Sequence, residues 1–212
     1  MEIRLDKIEP LPMQGVCAGS QVWNQPISFL QGSLSVVKAG SGRGKTTLLS
    51  ILFGMRKDYQ GDAFFDGIPI RGIGHTGWSR IRTTRLSCVF QDLQLFDDLT
   101  ALQNIQIKNR LTAHKNEGEI RRLFGALGVE DKVDAPASRL SRGQKQRIAI
   151  LRSLCQPFEF LLLDEPFSHL DRDNRIQTAA LIVEECQKKG AGLILASLED
   201  ESAIPGCASL NL

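Results

Sequence analysis

No apolar run in this sequence approaches the roughly 18–20 residues that carry a helix across a bilayer, so any work at a membrane calls for a second chain to hold it there. The five cysteines (Cys17, Cys88, Cys155, Cys186, Cys207) form no C-x-x-C pair. An odd, widely spaced set fits buried thiols in a reducing cytosol better than a disulfide framework or a metal site. The three histidines (His75, His114, His169) are scattered, which leaves no metal cluster to propose. A net charge of +2 gives no signal for a nucleic-acid partner, and none is expected. Internal repeats, low-complexity linkers and sustained heptads are lacking as well, which excludes solenoids and long coiled coils. The first residues, Met1-Glu2-Ile3-Arg4-Leu5-Asp6-Lys7, alternate apolar with polar and carry charge throughout. They read as a strand and not as a signal peptide.

What remains is an ordinary globular composition, 212 residues with 42% hydrophobic and 24% charged, enough for one domain with subdomains. Its organising stretch is Ala39-Gly40-Ser41-Gly42-Arg43-Gly44-Lys45-Thr46-Thr47. An apolar run, Leu34–Val37, precedes it, and Leu48–Phe53 after it reads as a helix. A strand, a glycine-rich turn and a helix opening on Lys-Thr make a phosphate cradle. Backbone N–H groups turn inward without Cβ clashes, and the helix N-terminus adds free donors. Lys45 is placed to reach β- and γ-phosphates, and the Thr46 hydroxyl to bind Mg²⁺. One departure from the usual G-x-x-x-x-G-K-[ST] is Ala39 in the first glycine's place.

Along the chain, Ile3 and Leu5 predict a first strand that ends at Pro10 and Pro12. Ile27–Phe29 and Leu34–Val37 read as strands around a Gln31-Gly32 turn, and Ala63–Ile68 as a hairpin turning on Asp66-Gly67. The basic stretch from Gly77 to Arg85 (Arg80, Arg82, Arg85) reads as a short helix with a solvated face. Leu86–Phe90 is strand-like. Thr100-x-x-Gln103 has capping-box form and opens a helix to about Asn109. A second helix carries Ile120, Leu123, Phe124 and Leu127 on one face, and a third runs from Ser141 to about Leu154. Phe160–Leu163 and Leu193–Ala196 are wholly apolar, as in buried parallel strands. Between them a helix starts at Asp171 or Asp173 and ends at Gly190, and Ala208–Leu212 reads as an edge strand. The fold expected is α/β: a P-loop NTPase core of parallel sheet, with an antiparallel β subdomain and an inserted helical subdomain. A single domain over 1–212 then divides into a β-rich and P-loop part at 1–91, a helical part at 92–157, and the rest of the core at 158–212.

The strand Phe160–Leu163 delivers Asp164-Glu165 at its C-terminal end, where open α/β sheets place ligands. Asp164 is suited to hold Mg²⁺ opposite Thr46, and Glu165 to polarise an attacking water.

Leu140-Ser141-Arg142-Gly143-Gln144 resembles the LSGGQ signature of the ATP-binding cassette (ABC) ATPases. In the matching order, Val89-Phe90-Gln91 resembles the Q-loop and Ser168-His169-Leu170-Asp171 the D-loop. The stretch from Gly77 to Gln91, with Leu95, Leu99-Thr100 and Asn104-Ile105, is similar to the lipoprotein-releasing, macrolide-export and cell-division branch. The resemblance implies an ATP-hydrolysing subunit with ATP and Mg²⁺ as cofactors. It implies nucleotide contacts from Gly40 through Thr47 and, from a facing subunit, from Ser141, Gly143 and Gln144. Catalysis would rest on Lys45, Gln91 and Glu165, and the metal on Thr46, Asp164 and Gln91. The partners implied are a second nucleotide-binding subunit, identical or a paralogue, and an integral membrane permease. The chain would then sit on the cytoplasmic face of the cell membrane, peripherally.

Two more positions depart from the family. Arg142 stands where glycine is usual, its side chain directed at the partner's nucleotide or at solvent. After Leu193–Ala196 the family has Thr-His-Asp, and here Ser197-Leu198-Glu199 stand instead, so the γ-phosphate histidine is absent. His169 lies nearby but in the wrong place for that role, and no aromatic near Val16 and Cys17 is evident for stacking adenine. A rival reading is therefore an ATP-binding switch or scaffold with slow turnover. A DNA-structural ATPase would need coiled-coil arms that some fifty residues between Gln91 and Leu140 cannot supply. A nucleoside kinase would not need the signature.

Overall fold

The computed structural model describes residues 1–15, 19–198, 204 and 206–212. Val16, Cys17 and Glu199 lie outside the described residues. Among the described residues nine strands form two sheets. The antiparallel sheet has the order β2-β1-β4-β5, from β1 (Glu2–Pro10), β2 (Pro26–Leu30), β4 (Tyr59–Phe65) and β5 (Ile68–Pro69). The parallel sheet runs β6-β7-β8-β3-β9, from β3 (Leu34–Lys38), β6 (Leu86–Val89), β7 (Phe160–Asp164), β8 (Gly192–Ser197) and β9 (Ala208–Asn211). Six α-helices among the described residues join them: α1 (Lys45–Leu52), α2 (His75–Thr84), α3 (Ala101–Asn109), α4 (Glu117–Ala126), α5 (Arg142–Leu154) and α6 (Arg172–Lys189).

Both central strands, β7 and β8, are buried at every position, which is why they read as unbroken apolar runs. Successive side chains leave a strand on opposite faces. Leu161, Leu163, Leu193 and Leu195 accordingly enter the core built with α3–α6, while Phe160, Leu162, Ile194 and Ala196 enter the core shared with α1 and the antiparallel sheet.

The local signals held where they were short-range. Asp66 (φ 49°) and Gly67 (φ 77°) make the left-handed turn between β4 and β5. Capping boxes open α3 at Thr100, α4 at Asn116 and α5 at Ser141, and Asp171 caps α6. The Gln31-Gly32 turn does not make a hairpin: β2 pairs with β1 and β3 lies in the other sheet, so this turn links the two sheets. The basic stretch is not simply solvated either. Arg82 lies over the rings of Phe53 and Trp78 and donates to the carbonyls of Phe53 and Gly54, and Arg85 pairs with Glu159 and Asp66. Only tertiary neighbours distinguish those arginines from Arg80.

The helices α3, α4 and α5 fall between β6 and β7, as an insertion in the parallel core. In sheet order β8 lies between β7 and β3. The residue after β8 therefore emerges between the phosphate loop, which follows β3, and the acidic pair at the end of β7. Among the described residues no helix is long and apolar enough to cross a membrane.

Candidate functional site

The phosphate loop leaves β3 at Lys38 and enters α1 at Lys45. Its conformation demands glycine most at Gly44, which sits at φ 93° and whose added Cβ would lie 2.7 Å from the Met13 sulfur. Ala39 fits without strain. It is not among the residues of positive φ, its N–H donates to the Ser197 carbonyl at 3.1 Å, and its own carbonyl accepts from Lys45 Nζ at 2.8 Å. Alanine in place of the first glycine therefore leaves the loop geometry intact.

Lys45 is buried. Its Nζ also donates to the Gly40 carbonyl at 3.1 Å and stands 3.3 Å from a Glu165 carboxylate oxygen. Thr46 Oγ1 donates to Asp164 Oδ2 at 2.6 Å, which brings together residues 118 apart in sequence. The second oxygen of Asp164, Oδ1, is buried with no hydrogen-bond partner. Burial raises the Asp164 carboxyl above its ordinary value; the Thr46 hydrogen bond opposes the rise and the neighbouring Glu165 adds to it. An orphaned carboxylate oxygen beside a threonine hydroxyl is a fitting donor set for Mg²⁺, which takes oxygen ligands and tolerates few of them from protein.

Glu165 adopts a left-handed backbone at φ 46°, a conformation that costs an L-residue on the order of 1 kcal/mol. Backbone hydrogen bonds hold it there. Its N–H donates to the Ala196 carbonyl at 2.8 Å, and its carbonyl accepts from Gln146 Nε2 at 2.9 Å and from Ser168 Oγ at 3.1 Å. Gln146 belongs to α5, so the helix that begins with the signature stretch braces the carboxylate residue directly. Sequence reading missed Gln146. A glutamine three residues past Gly143, on the buried face of a capped helix, was the available signal.

Ser41, Gly42, Gly44, Lys45, Thr46, Thr47, Gln91, Glu165, Met13 and Leu198 together line a cavity of about 350 Å³. Gly40 and Arg43 belong to the same loop but do not line it. Leu198, 51% exposed, lines the same cavity as Lys45 and Glu165, and its side chain presents no donor. Ser197, before it, is buried at the end of β8.

Ser141, Gly143 and Gln144 are not on that wall. Ser141 and Gln144 satisfy one another at the start of α5: Ser141 Oγ accepts from the Gln144 N–H at 3.3 Å, and Gln144 Oε1 accepts from the Ser141 N–H at 2.9 Å. Gly143 packs so closely that an added Cβ would lie 2.8 Å from the His169 carbonyl oxygen, locking the signature turn to the 168–171 turn. Arg142 lines an adjoining cavity of about 450 Å³ that shares Thr46 and Gln91 with the first, so its side chain lies along its own subunit's cleft. Trp23 is buried in the core.

A strand-loop-helix cradle, a carboxylate pair on the neighbouring strand end and a capped signature helix braced onto it form one connected unit. The sequence pattern of the ABC transporter family matches residues 27–168. The chain belongs to the ABC transporter family. Among relatives of this ABC ATPase, the lipoprotein-releasing system ATP-binding protein LolD 1 of Caulobacter vibrioides is 33% identical over 174 residues, 80% of this chain and 74% of that protein. LolD of Porphyromonas gingivalis is 31% identical over 180 residues, 84% of this chain and 82% of that protein. Among solved structures, the dimeric bacterial ABC transporter cassette MJ0796 superposes with a TM-score of 0.80 at 23% identity, covering 99% of this chain and 94% of that one. The P-loop NTPase fold expected from the sequence is the fold of this ABC ATPase.

Proposed function

We propose that this ABC ATPase is the ATP-hydrolysing subunit of a transporter in which ATP-driven pairing of two cassettes moves a separate membrane permease. The observation that carries the proposal is the division of the site. Lys45, Thr46, Asp164 and Glu165 converge on one cavity, while Ser141, Gly143 and Gln144 stand off it with the N-terminus of a capped helix free to face outward. Such a half-site needs a second copy, or a paralogue, to cover the nucleotide. A relative by fold is a dimeric cassette, which supports the same arrangement.

In this reading the loop N–H groups from Gly40 to Thr47 and the Lys45 ammonium bind the phosphates. Thr46 and Asp164, with Gln91, would hold Mg²⁺, which supplies charge neutralisation for the leaving phosphate. Glu165 orients and deprotonates the attacking water, and Gln146 positions Glu165 through its carbonyl. Signature residues Ser141, Gly143 and Gln144 would close over the nucleotide from the facing subunit. We assign the 1–91, 92–157 and 158–212 divisions to one cassette moving as coupled parts.

Gln91 also faces the second cavity, beside Met55, which is 56% exposed, so the nucleotide side and an apolar surface share one residue. That surface is the natural contact for the permease, and it would hold the chain at the cytoplasmic face of the membrane. The lipoprotein-releasing relatives make a permease of that branch the first to test.

Replacing Glu165 with Gln should keep ATP binding and trap an ATP-bound dimer, seen as a doubled mass in size-exclusion chromatography with light scattering. Unchanged hydrolysis in Glu165→Gln would remove Glu165 from the mechanism. The donor-less wall at Leu198 favours a second reading, an ATP-binding switch in which turnover is slow and pairing itself is the signal.

A further inference from the structure

A further cavity lies apart from the nucleotide site. It encloses about 580 Å³ and shares no lining residue with the phosphate cavity. Lys57 after α1, Arg71 and Gly74 before α2, Trp78 and Arg82 on α2, and Lys108 at the end of α3 line it, and no Asp or Glu does. Several cations elsewhere are matched by carboxylates, as in Arg56–Asp58, Arg85–Glu159, Lys115–Glu185 and Lys145–Asp97. Here they are not. Arg82 donates to the Phe53 and Gly54 carbonyls, and Arg71 to the Tyr59 carbonyl, while the Lys57 and Lys108 ammonium groups have no hydrogen bond or ion pair among the described residues. Burial and the nearby Arg152 and Arg82 guanidinium groups push the Lys108 ammonium below its ordinary value, the expected mark of a half-buried cation without a counter-charge.

Two independent features border the same space. Helix α2, ten residues long, begins on the cavity wall with Gly74 at its N-cap and no capping side chain, so first-turn N–H groups stay available to an anion. Trp78, one turn on, is only 5% exposed, and its indole N–H has no partner. A donor so deeply buried and unmatched is costly unless a ligand or water meets it.

We propose that this cavity is a second anion site, binding a phosphate group of a ligand other than the ATP held at Lys45. Its guanidinium groups suit the paired oxygens of phosphate. Its volume falls in the range of small-molecule sites and leaves room for substituents beyond a single phosphate. The phosphate belongs either to a small soluble polyphosphate or to the headgroup of an anionic phospholipid.

The test uses the full chain with Lys45→Ala, which weakens the competing phosphate loop. Pyrophosphate is titrated by calorimetry, and binding to phosphatidylglycerol vesicles is compared with binding to phosphatidylcholine vesicles by cosedimentation. Arg71→Gln and Lys108→Gln should each weaken binding about tenfold or more, and Trp78→Phe several-fold while keeping its packing. Thermal unfolding confirms that the variants are folded. Pyrophosphate binding with that pattern identifies a soluble ligand; vesicle binding alone with that pattern identifies a lipid. Absence of both, insensitivity to Arg71→Gln and Lys108→Gln, or equal binding of a poly-glutamate peptide overturns the proposal.

Discussion

An imidazole at position 198 tests whether the catalytic cavity lacks one donor. Leu198 stands on the wall with Lys45 and Glu165, because β8 separates the strands that deliver them. In a water-excluded site, one preorganised donor to a developing negative oxygen contributes about 10²–10³ in rate, or ~2.7–4 kcal/mol. Position 198 is 51% exposed in the single chain, so solvent screens part of that charge. The gain from Leu198→His is then expected at the lower end, about 10–100-fold in turnover. Affinity for ATP should change by less than about threefold, since ground-state contacts stay with Lys45 and the loop N–H groups. Phosphate release under saturating ATP gives the turnover, calorimetry gives the affinity, and Leu198→Phe controls for side-chain bulk. A parent turnover near the enzymatic median of about 10 s⁻¹ would refute the reasoning, because no donor would then be missing. So would a Leu198→His protein that binds ATP normally and turns over no faster than Leu198→Phe.

Lys45→Ala should weaken ATP binding by at least ~1.5–3 kcal/mol, the scale of a charge-assisted contact, and equal affinity by calorimetry would sink the phosphate-cradle assignment. Gly143→Ala must push the start of α5 away from the His169 carbonyl, so it should lower the dimer fraction of the Glu165→Gln protein in ATP; an unchanged fraction counts against a signature turn that faces the partner. Lys189 is lowered to about 8, first by burial and then by Lys115, and in the folded state it therefore sheds its proton before the unfolded chain does. Its contribution makes unfolding free energy rise with pH between about 8 and the ordinary lysine value of 10.5, and Lys189→Met, which keeps its stem on Phe158, should flatten that slope in urea titrations.

Much of this protein is written in contiguous residues. Gly-x-Gly-Lys-Thr between an apolar strand and an apolar helix specifies its cradle locally, because φ at Gly42 and Gly44 and the free N–H groups of α1 depend on near neighbours. The capping boxes at Thr100 and Ser141, the Asp66-Gly67 turn and the unbroken apolar runs of β7 and β8 are legible for the same reason. Asp164-Glu165 could be read as a carboxylate pair, but only the sheet order put it against Thr46. The separation of β2 from β3, the pairing of Arg85 with Glu159 and the grip of Gln146 on the Glu165 carbonyl were decided by tertiary structure. So was the lock between Gly143 and His169. Each of these joins residues too far apart in the chain for hydrophobic period or turn chemistry to encode. They follow from which strand lies beside which, and that is settled by burying both faces of β7 and β8 at once.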